Sequence, residues 1–209
     1  MRLVCISDLH GNRPVLPPGD LLLVAGDLTE TGTRAQVATM LRWLSNCHHL
    51  YTDGIVMIAG NHDFLFQNDP LVAKQMCEDT GITYLCESEC IVNGLKIWGS
   101  PYCQRFNHWA FMYDKYMEYR IWDRIPEDTD VLVTHEAPMG ILDSTEEGHH
   151  LGSEFLRLAV IDRVKPRLHI FGHIHSGYGT IEINGTRFVN ASYCNAEYEP
   201  INEPQEVEV

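Results

Sequence analysis

No long hydrophobic run occurs in this sequence, and that absence excludes the usual signals for membrane insertion. A membrane helix needs about 18 or more predominantly apolar residues, and a secretory signal needs a shorter apolar region behind a basic start. The first apolar run, residues 3–6, is brief and is followed at once by Ser7 and Asp8. We therefore expect a cytoplasmic protein that neither spans a membrane nor carries a signal peptide.

Basic residues are also few. Lys and Arg number 15 against 29 Asp and Glu, which gives a formal net charge of -14. Proteins that bind long duplex nucleic acid use basic side chains to displace counterions from the phosphates, so we expect no such partner. A small anionic substrate is compatible with this charge, because metal ions inside a site would dominate the local electrostatics.

Cysteine is present but shows no pattern typical of a zinc or disulfide site. The seven cysteines are scattered through the chain, and only Cys86 and Cys90 lie close together. A structural zinc site would need a second such pair, and a disulfide framework would use an even number. We expect reduced thiols, several of them buried.

Short apolar runs recur along the chain and predict buried strands. Each contains only a few residues, mostly Val, Ile and Leu, as is typical of strands covered on both faces. The runs are residues 3–6, 21–25, 55–59, 131–133 and 168–171. Apolar residues make up 44% of the chain, which excludes a disordered protein.

Helices and hairpins are predicted between and behind these strands. Helical spacing extends from Thr33 to about His49, from Pro70 to near Gly81, and from Ser153 to just before Pro166. The dipeptides Asn93-Gly94 and Asn184-Gly185 each separate two apolar runs, which predicts two β-hairpins. Strand–helix alternation followed by hairpins favours an α/β fold with mixed sheets.

The chain is expected to form one domain over residues 1–194, because its candidate functional residues extend from Asp8 to His175. Residues 195–209 contain five Glu and two Pro but no basic residue. They are predicted to form an acidic C-terminal tail on the surface. Pairing of residues 207–209 at a sheet edge is the alternative.

Polar clusters follow the predicted strands. They are Asp8-Leu9-His10, Gly26-Asp27, Gly60-Asn61-His62-Asp63, His135 and Gly172-His173-Ile174-His175. If the strands are neighbours, their carboxyl ends bring these clusters to one edge. Imidazole, carboxylate and amide groups suit Mn, Fe or Zn, and the absence of Cys argues against a soft site. An Asp can bridge two ions, which then activate water near neutral pH.

In this order the clusters resemble the calcineurin-like metallophosphoesterase superfamily, whose pattern is D-x-H, GD, GNH[DE], a lone H and GHxH. The resemblance covers residues 1–192. Further motifs, among them Trp98-Gly99-Ser100-Pro101, Phe106-Asn107 and Asn190-Ala191-Ser192, are similar to the small metallophosphoesterase-domain proteins, which are themselves phosphodiesterase-like. The implied fold is a four-layer sandwich of two mixed β-sheets flanked by helices.

The resemblance also implies a dinuclear metal centre. The first ion would be bound by Asp8, His10, Asp27 and His175, and the second by Asp27, Asn61, His135 and His173. Asp27 would then bridge the two divalent ions. Manganese is the expected metal, with iron or zinc as alternatives.

His62 and Asp63 are the implied catalytic pair. His62 would donate a hydrogen bond or a proton to the leaving-group oxygen, and Asp63 would orient the His62 ring by a carboxylate–imidazole contact. Asn61 and His62 would also contact the substrate phosphate.

Residues 102–109 allow two interpretations. Their aromatic and polar side chains form either a packed surface loop or a substrate-facing loop whose rings stack on a base. In the second case Asn107 and His108 are the candidates for contact with the phosphate, and Asn107 has the better claim because it belongs to the family-like Phe-Asn.

Glu136 departs from the superfamily pattern, which has a small residue after the lone His. Its carboxylate either lies near the phosphate and repels dianionic substrates, or points to solvent.

The expected function is hydrolysis of a small phosphate ester, most simply as a phosphodiesterase acting on nucleotide-like or cyclic nucleotide substrates. A phosphomonoesterase, a phosphoprotein phosphatase or a nuclease is the alternative among enzymes. A non-catalytic interaction module on the same fold is the alternative of a different class. The presence of all seven ligands and His62 argues against that module.

Overall fold

Short buried strands organise the protein into layers. The computed structural model describes residues 1–209. The strands are β1 (Arg2–Ile6), β2 (Leu21–Ala25), β3 (Ile55–Ile58), β4 (Thr83–Tyr84), β5 (Ser88–Val92), β6 (Leu95–Ser100), β7 (Cys103–Gln104), β8 (Met112–Tyr113), β9 (Val131–Thr134), β10 (Leu168–Phe171), β11 (Gly179–Ile183), β12 (Thr186–Asn190) and β13 (Gln205–Glu208). Every strand predicted from the apolar runs is confirmed.

Two mixed sheets contain most of these strands. The first has the order β13-β1-β2-β3-β4, and the second has the order β11-β12-β10-β9-β6-β5. Parallel pairs form the centre of each sheet. The edge strands β13, β11 and β5 pair antiparallel with their neighbours, and the edge strand β4 pairs parallel with β3. The hairpins β5–β6 and β11–β12 turn at Asn93-Gly94 and Asn184-Gly185, and both Asn residues have the positive φ that such tight turns require.

Five α-helices accompany the sheets: α1 (Arg34–Asn46), α2 (Phe64–Asn68), α3 (Pro70–Asp79), α4 (Glu118–Trp122) and α5 (Glu154–Leu158). Thr33 caps α1 and exchanges capping hydrogen bonds with Gln36. Ser153 caps α5, which continues as a π-helical segment over Ala159–Val164 and ends at left-handed Lys165, immediately before Pro166. None of the helices combines the length and apolar composition needed to cross a membrane.

Three separate apolar clusters hold four layers together. Side chains of Leu3 and Cys5 lie in the cluster between the sheets, while those of Val4 and Ile6 lie in the cluster that contains the buried face of α1. A strand presents successive side chains to opposite faces, so one continuous apolar run serves two interfaces. A third cluster covers the second sheet with α4 and α5. The expected four-layer sandwich, with two mixed sheets between helices, is confirmed.

The end of the chain returns to the first sheet. Strand β13 pairs antiparallel with β1, and Val207, opposite Leu3, is buried in the cluster between the sheets. Of the two alternatives for residues 195–209, pairing at a sheet edge is what the structure shows at Gln205–Glu208. Burial of an apolar side chain and completion of the edge hydrogen bonds favour this return over a free tail.

Candidate active site

Sharp turns at the strand ends direct polar side chains toward one another. Asp8, Asp27 and His173 each lie two residues beyond the end of a strand and adopt left-handed backbone conformations, with φ of 52°, 49° and 68°. Such conformations are uncommon outside glycine and are concentrated at functional sites. Here they occur directly beyond β1, β2 and β10, where the three side chains lie close together.

Two glycines of the sequence motifs permit this close approach. A Cβ atom on Gly60 would collide with the carboxylate of Asp27, and one on Gly172 would collide with the carboxylate of Asp8 and the side chain of Ser7. Any side chain at these two positions would therefore displace a predicted metal ligand.

The first donor group contains Asp8, His10 and His175. His175 Nε2 lies 3.3 Å from Asp8 Oδ1 and 3.3 Å from His10 Nε2. All three residues place a donor atom within 4.8 Å of the other two. They belong to loops that follow β1 and β10, so the two sheets build this group jointly.

The second donor group lies around His135. Asn61 Oδ1 lies 3.0 Å from His135 Nε2, and the ring centroid of His173 lies 5.1 Å from that of His135. Asp27 Oδ2 lies between the two groups, 3.3 Å from His135 Nε2 and 3.9 Å from His10 Nε2. The structure thus brings all seven predicted ligands together, with Asp27 in the central position.

Hydrogen bonds outside the donor groups orient the imidazole rings. Nδ1 of His135 faces the Ala25 carbonyl at 2.8 Å, and Nδ1 of His175 faces the Asn195 carbonyl at 2.8 Å. Because a carbonyl accepts only from a protonated Nδ1, Nε2 of each ring is directed to the centre of the site.

Comparison with known proteins decides the family. A family model described as calcineurin-like phosphoesterase matches residues 1–177. This chain belongs to that family. It is 37% identical over 228 residues to metallophosphoesterase domain-containing protein 1 of Homo sapiens and of Mus musculus, covering 97% of this chain and 69% of each relative. It is also 33% identical over 235 residues to the UPF0046 protein T07D4.2 of Caenorhabditis elegans, covering 98% of this chain and 59% of that protein.

Solved structures share the fold. One superposes with a TM-score of 0.66 at 18% identity and covers 90% of this chain and 89% of its own. TT1561 of Thermus thermophilus superposes with a TM-score of 0.61 at 15% identity, covering 90% of this chain and 88% of its own. The family membership supports a metal-dependent phosphoester hydrolase.

The donor chemistry fits the divalent ions that this phosphoesterase family implies. The seven side chains provide carboxylate oxygens, one amide oxygen and imidazole nitrogens, all of them ligands for Mn, Fe or Zn. Gly60 and Gly172 leave space for the carboxylates and not for any other side chain. The residues present therefore fit a pair of ions.

Burial and neighbouring charges keep Asp8, His10 and His173 in the protonation states that bind cations. Burial acts to raise the pKa of Asp8, but the neighbouring His175, His135 and His10 outweigh it and hold that pKa well below its ordinary value. Burial lowers the pKa of His10 to about 4 and that of His173 to about 3. Asp8 is ionised and His10 and His173 are neutral near pH 7, as metal coordination requires.

Two other imidazoles are shifted in the opposite direction. Burial acts to lower the pKa of His135 and of His175, but Asp27 and Asp8 outweigh it: they raise the pKa of His135 to about 10 and that of His175 above its ordinary value. A metal ion bound at His135 would displace that proton.

His62 lies beside Asp27, at the edge of the donor groups. Its Nδ1 faces the Glu30 carbonyl at 2.7 Å, and its Nε2 lies 4.0 Å from Asp27 Oδ2. The Trp109 ring stacks on the His62 ring with centroids 4.1 Å apart and an interplanar angle of 23°. These two contacts determine both the orientation and the tautomer of the imidazole.

Asp63 does not orient His62 as the sequence led us to expect. Its buried carboxylate accepts hydrogen bonds from the backbone N–H groups of Leu28, Thr29 and Gly60 and from the Thr29 hydroxyl. The Glu30 carbonyl, and not the Asp63 carboxylate, accepts the hydrogen bond from His62 Nδ1. Burial and the nearby Asp27 raise the pKa of Asp63 to about 6, although these hydrogen bonds oppose the shift. Asp63 instead joins the loop after β2 to the loop after β3.

The loop after β6 faces the donor groups with residues other than those predicted. Asn107 and His108 are exposed and lie outside the cleft lining. The lining comes from their neighbours Arg105, Phe106 and Trp109. The cleft has a volume of about 640 Å³ and opens directly onto Asp27, Asn61, His62, His173 and His175. The loop thus lines the cleft, as the substrate-facing interpretation requires, but Asn107 and His108, its two predicted phosphate contacts, do not.

Glu136 is neither free beside the donor groups nor directed to solvent. It is 1% exposed and accepts hydrogen bonds from the backbone N–H of Gln104 and the hydroxyl of Tyr113. Burial raises the pKa of the Glu136 carboxyl to about 8, so near pH 7 it is mostly uncharged. Because Gln104 and Tyr113 lie on β7 and β8, Glu136 connects the cleft loop to the strand end that carries His135.

Two further residues at the site carry no sequence signal. The buried Cys103 thiol lies 3.9 Å from Asn61 Oδ1 and forms a close group with His135 and His173, so a thiol does lie beside the predicted centre. Tyr198, from the C-terminal segment, places its ring 4.7 Å from that of His10. Neither residue belongs to a motif, and each is distant in sequence from the ligands that it approaches.

Proposed function

We propose that this protein is a dinuclear metal-dependent phosphodiesterase that acts on small nucleotide-like or cyclic nucleotide esters. The convergence of seven candidate ligands carries this proposal: Asp8, His10 and His135 lie together with Asp27, Asn61, His173 and His175, and the last four line one cleft. We further propose that the protein works in the cytoplasm on a small phosphate ester.

The ions are assigned to the two donor groups. Asp8, His10 and His175 would hold one ion, and Asn61, His135 and His173 the other, with Asp27 shared. When bound, such a pair activates a water molecule and neutralises charge that develops on the phosphate oxygens. Manganese is the proposed metal, with iron or zinc as alternatives.

His62 is the proposed general acid. Because its Nδ1–H donates to the Glu30 carbonyl, a protonated His62 directs its Nε2–H into the cleft. That proton passes to the departing ester oxygen as the bond from phosphorus to that oxygen breaks. A positioned acid of this kind contributes about 10²- to 10⁴-fold to turnover. Asn61 and His62 are also the proposed contacts for the phosphate.

Two acidic side chains in the cleft lining support a preference for diesters over monoesters. Glu146 and Glu147 line the cleft, and a monoester carries one more negative charge than a diester near neutral pH. At an effective dielectric of about 20, two like charges about 10 Å apart repel by roughly 2 kcal/mol before salt screening. Glu146 and Glu147 therefore disfavour the dianion relative to the monoanion, and Arg105 and Lys115, which also line the cleft, oppose that effect.

Metal reconstitution with paired substrates tests the proposal. Metal-stripped protein is supplied with Mn²⁺, and hydrolysis of bis(4-nitrophenyl) phosphate, 4-nitrophenyl phosphate and cyclic nucleotides is measured, with Asp27→Ala as control. We expect metal-dependent hydrolysis with a larger kcat/KM for the diester than for the monoester, and no hydrolysis by Asp27→Ala. A monoester preference would instead indicate a phosphomonoesterase. Absence of hydrolysis from protein holding two ions would indicate a non-catalytic module.

A further inference from the structure

The C-terminal segment, residues 195–200, lies beside the metal-ligand candidates and presents Tyr198 to the cleft. The ring centroid of Tyr198 lies 4.7 Å from that of His10, 5.2 Å from that of His175 and 6.1 Å from that of His62. Tyr198 is nevertheless 51% exposed and belongs to the cleft lining. Its position leaves apolar ring surface available to a molecule in the cleft.

Hydrogen bonds hold this segment in place. The Asn195 side-chain oxygen accepts from the N–H groups of Glu197 and Glu199, and the Asn195 carbonyl accepts from the Tyr198 N–H and from His175 Nδ1. Further along the chain, β13 pairs with β1. Tyr198 adopts a left-handed conformation with φ of 64°, which this network supports.

Two aromatic residues of the loop after β6 also face the donor groups. Phe106 is 55% exposed, and its ring centroid lies 5.5 Å from that of His173. Trp109 stacks on His62 at 4.1 Å. Phe106, Trp109 and Tyr198 form what we term the aromatic rim. Every ring of the rim contacts an imidazole that would bind a metal ion or the ester oxygen.

We propose that the aromatic rim binds an aromatic group of the phosphate ester, and that Tyr198 selects aryl or nucleobase-bearing esters over alkyl esters. This inference rests on the proposed function, because it takes the phosphate to lie at the metal ligands. With the phosphate there, the organic group of the ester extends into the cleft among these rings. Stacking of a base on one aromatic side chain strengthens binding by about 5- to 150-fold, and it tolerates different bases.

Binding of two phosphonates to the metal-loaded protein tests the proposal by calorimetry. Phenylphosphonate and methylphosphonate share the phosphonate group and differ only in the organic group. Tyr198→Ala is expected to weaken phenylphosphonate binding about 10-fold, in the middle of that range, and methylphosphonate binding less than about 2-fold. Tyr198→Phe should retain the wild-type ratio of the two Kd values, because it retains the ring.

Phe106→Ala provides a second variant on the opposite segment and is expected to change the same ratio in the same direction. Tyr116→Ala is the matched control, because Tyr116 is 79% exposed and does not line the cleft. Equal weakening of both ligands by Tyr198→Ala would overturn the proposal, since the ring would then act only through His10 and His175. Unchanged binding of both would overturn it as well.

These outcomes are independent of turnover, since neither phosphonate is hydrolysed. One combination of results would support the aromatic rim and contradict the proposed function. In it, the wild-type protein binds phenylphosphonate more tightly than methylphosphonate, Tyr198→Ala abolishes that preference, and no ester is hydrolysed. Ester hydrolysis by a protein that binds the two phosphonates equally would support the proposed function and overturn the proposal for the aromatic rim.

Discussion

His169 provides a sharp test of how burial affects the acid stability of this protein. It lies within β10, has no exposed surface, and packs near Phe171 and Phe188. Its Nε2 lies 2.8 Å from Thr134 Oγ1, whose hydroxyl donates to the Glu136 carbonyl, so Nε2 carries the proton. Its Nδ1 is buried without a hydrogen-bond partner. A proton added at Nδ1 would introduce an unpaired charge into the core.

Burial lowers the pKa of His169 to about 3, against an ordinary value of 6.5. Between these values the unfolded chain binds a proton that the folded chain does not, so the free energy of unfolding falls as the pH falls. The contribution of His169 is fully present above pH 6.5 and is lost toward pH 3. At about 1.4 kcal/mol per pH unit, the loss between about pH 7 and about pH 5 amounts to about 2 kcal/mol.

His169→Gln removes the titrating ring but retains a donor for Thr134. Urea unfolding of wild type and variant at about pH 7 and about pH 5 gives the double difference, in which the acid sensitivity of the other histidines cancels. We expect the variant to gain about 2 kcal/mol relative to wild type on moving to the lower pH. If both proteins lose the same stability between the two pH values, within about 0.5 kcal/mol, the burial argument is wrong.

Three further sets of substitutions test the active site. Asp27→Ala should lose both ions, because Asp27 lies between the two donor groups, and metal analysis after gel filtration that still finds two ions would contradict this. His62→Ala should keep its metal. Its kcat should fall by about 10²- to 10⁴-fold for an ester with an alkyl leaving group but much less for one that releases nitrophenolate, which departs without protonation. Equal losses of kcat for the two esters would show that His62 is not the acid. The double variant Glu146→Gln, Glu147→Gln should raise the ratio of monoester kcat/KM to diester kcat/KM several-fold, because it removes two negative charges from the cleft lining. Glu136→Gln replaces a mostly uncharged carboxyl and serves as the control. An unchanged ratio in the double variant would refute the charge argument.

Much of the fold and the positions of all seven candidate ligands were predictable from local patterns. A buried strand must be apolar on both faces, so runs such as Leu21–Ala25 are visible without knowledge of their partners. Polar residues directly after such strands lie close together because the carboxyl ends of parallel strands meet on the same side of a sheet. The glycine before Asn61 and the glycine before His173 are likewise motif residues whose absent side chains make room for Asp27 and Asp8.

The contacts of those same residues depended on the tertiary structure. His62 pairs with the Glu30 carbonyl, 32 residues away, and Asp63 with the loop after β2, although the two are adjacent in the sequence. Tyr198 reaches His10 because β13 crosses back to β1. The sequence determined which side chains are the candidate ligands, since residue type and strand spacing are local properties. Only the packing of the two sheets and the return of the chain decided what orients and surrounds them, because each such contact joins segments whose separation along the chain carries no signal of their proximity.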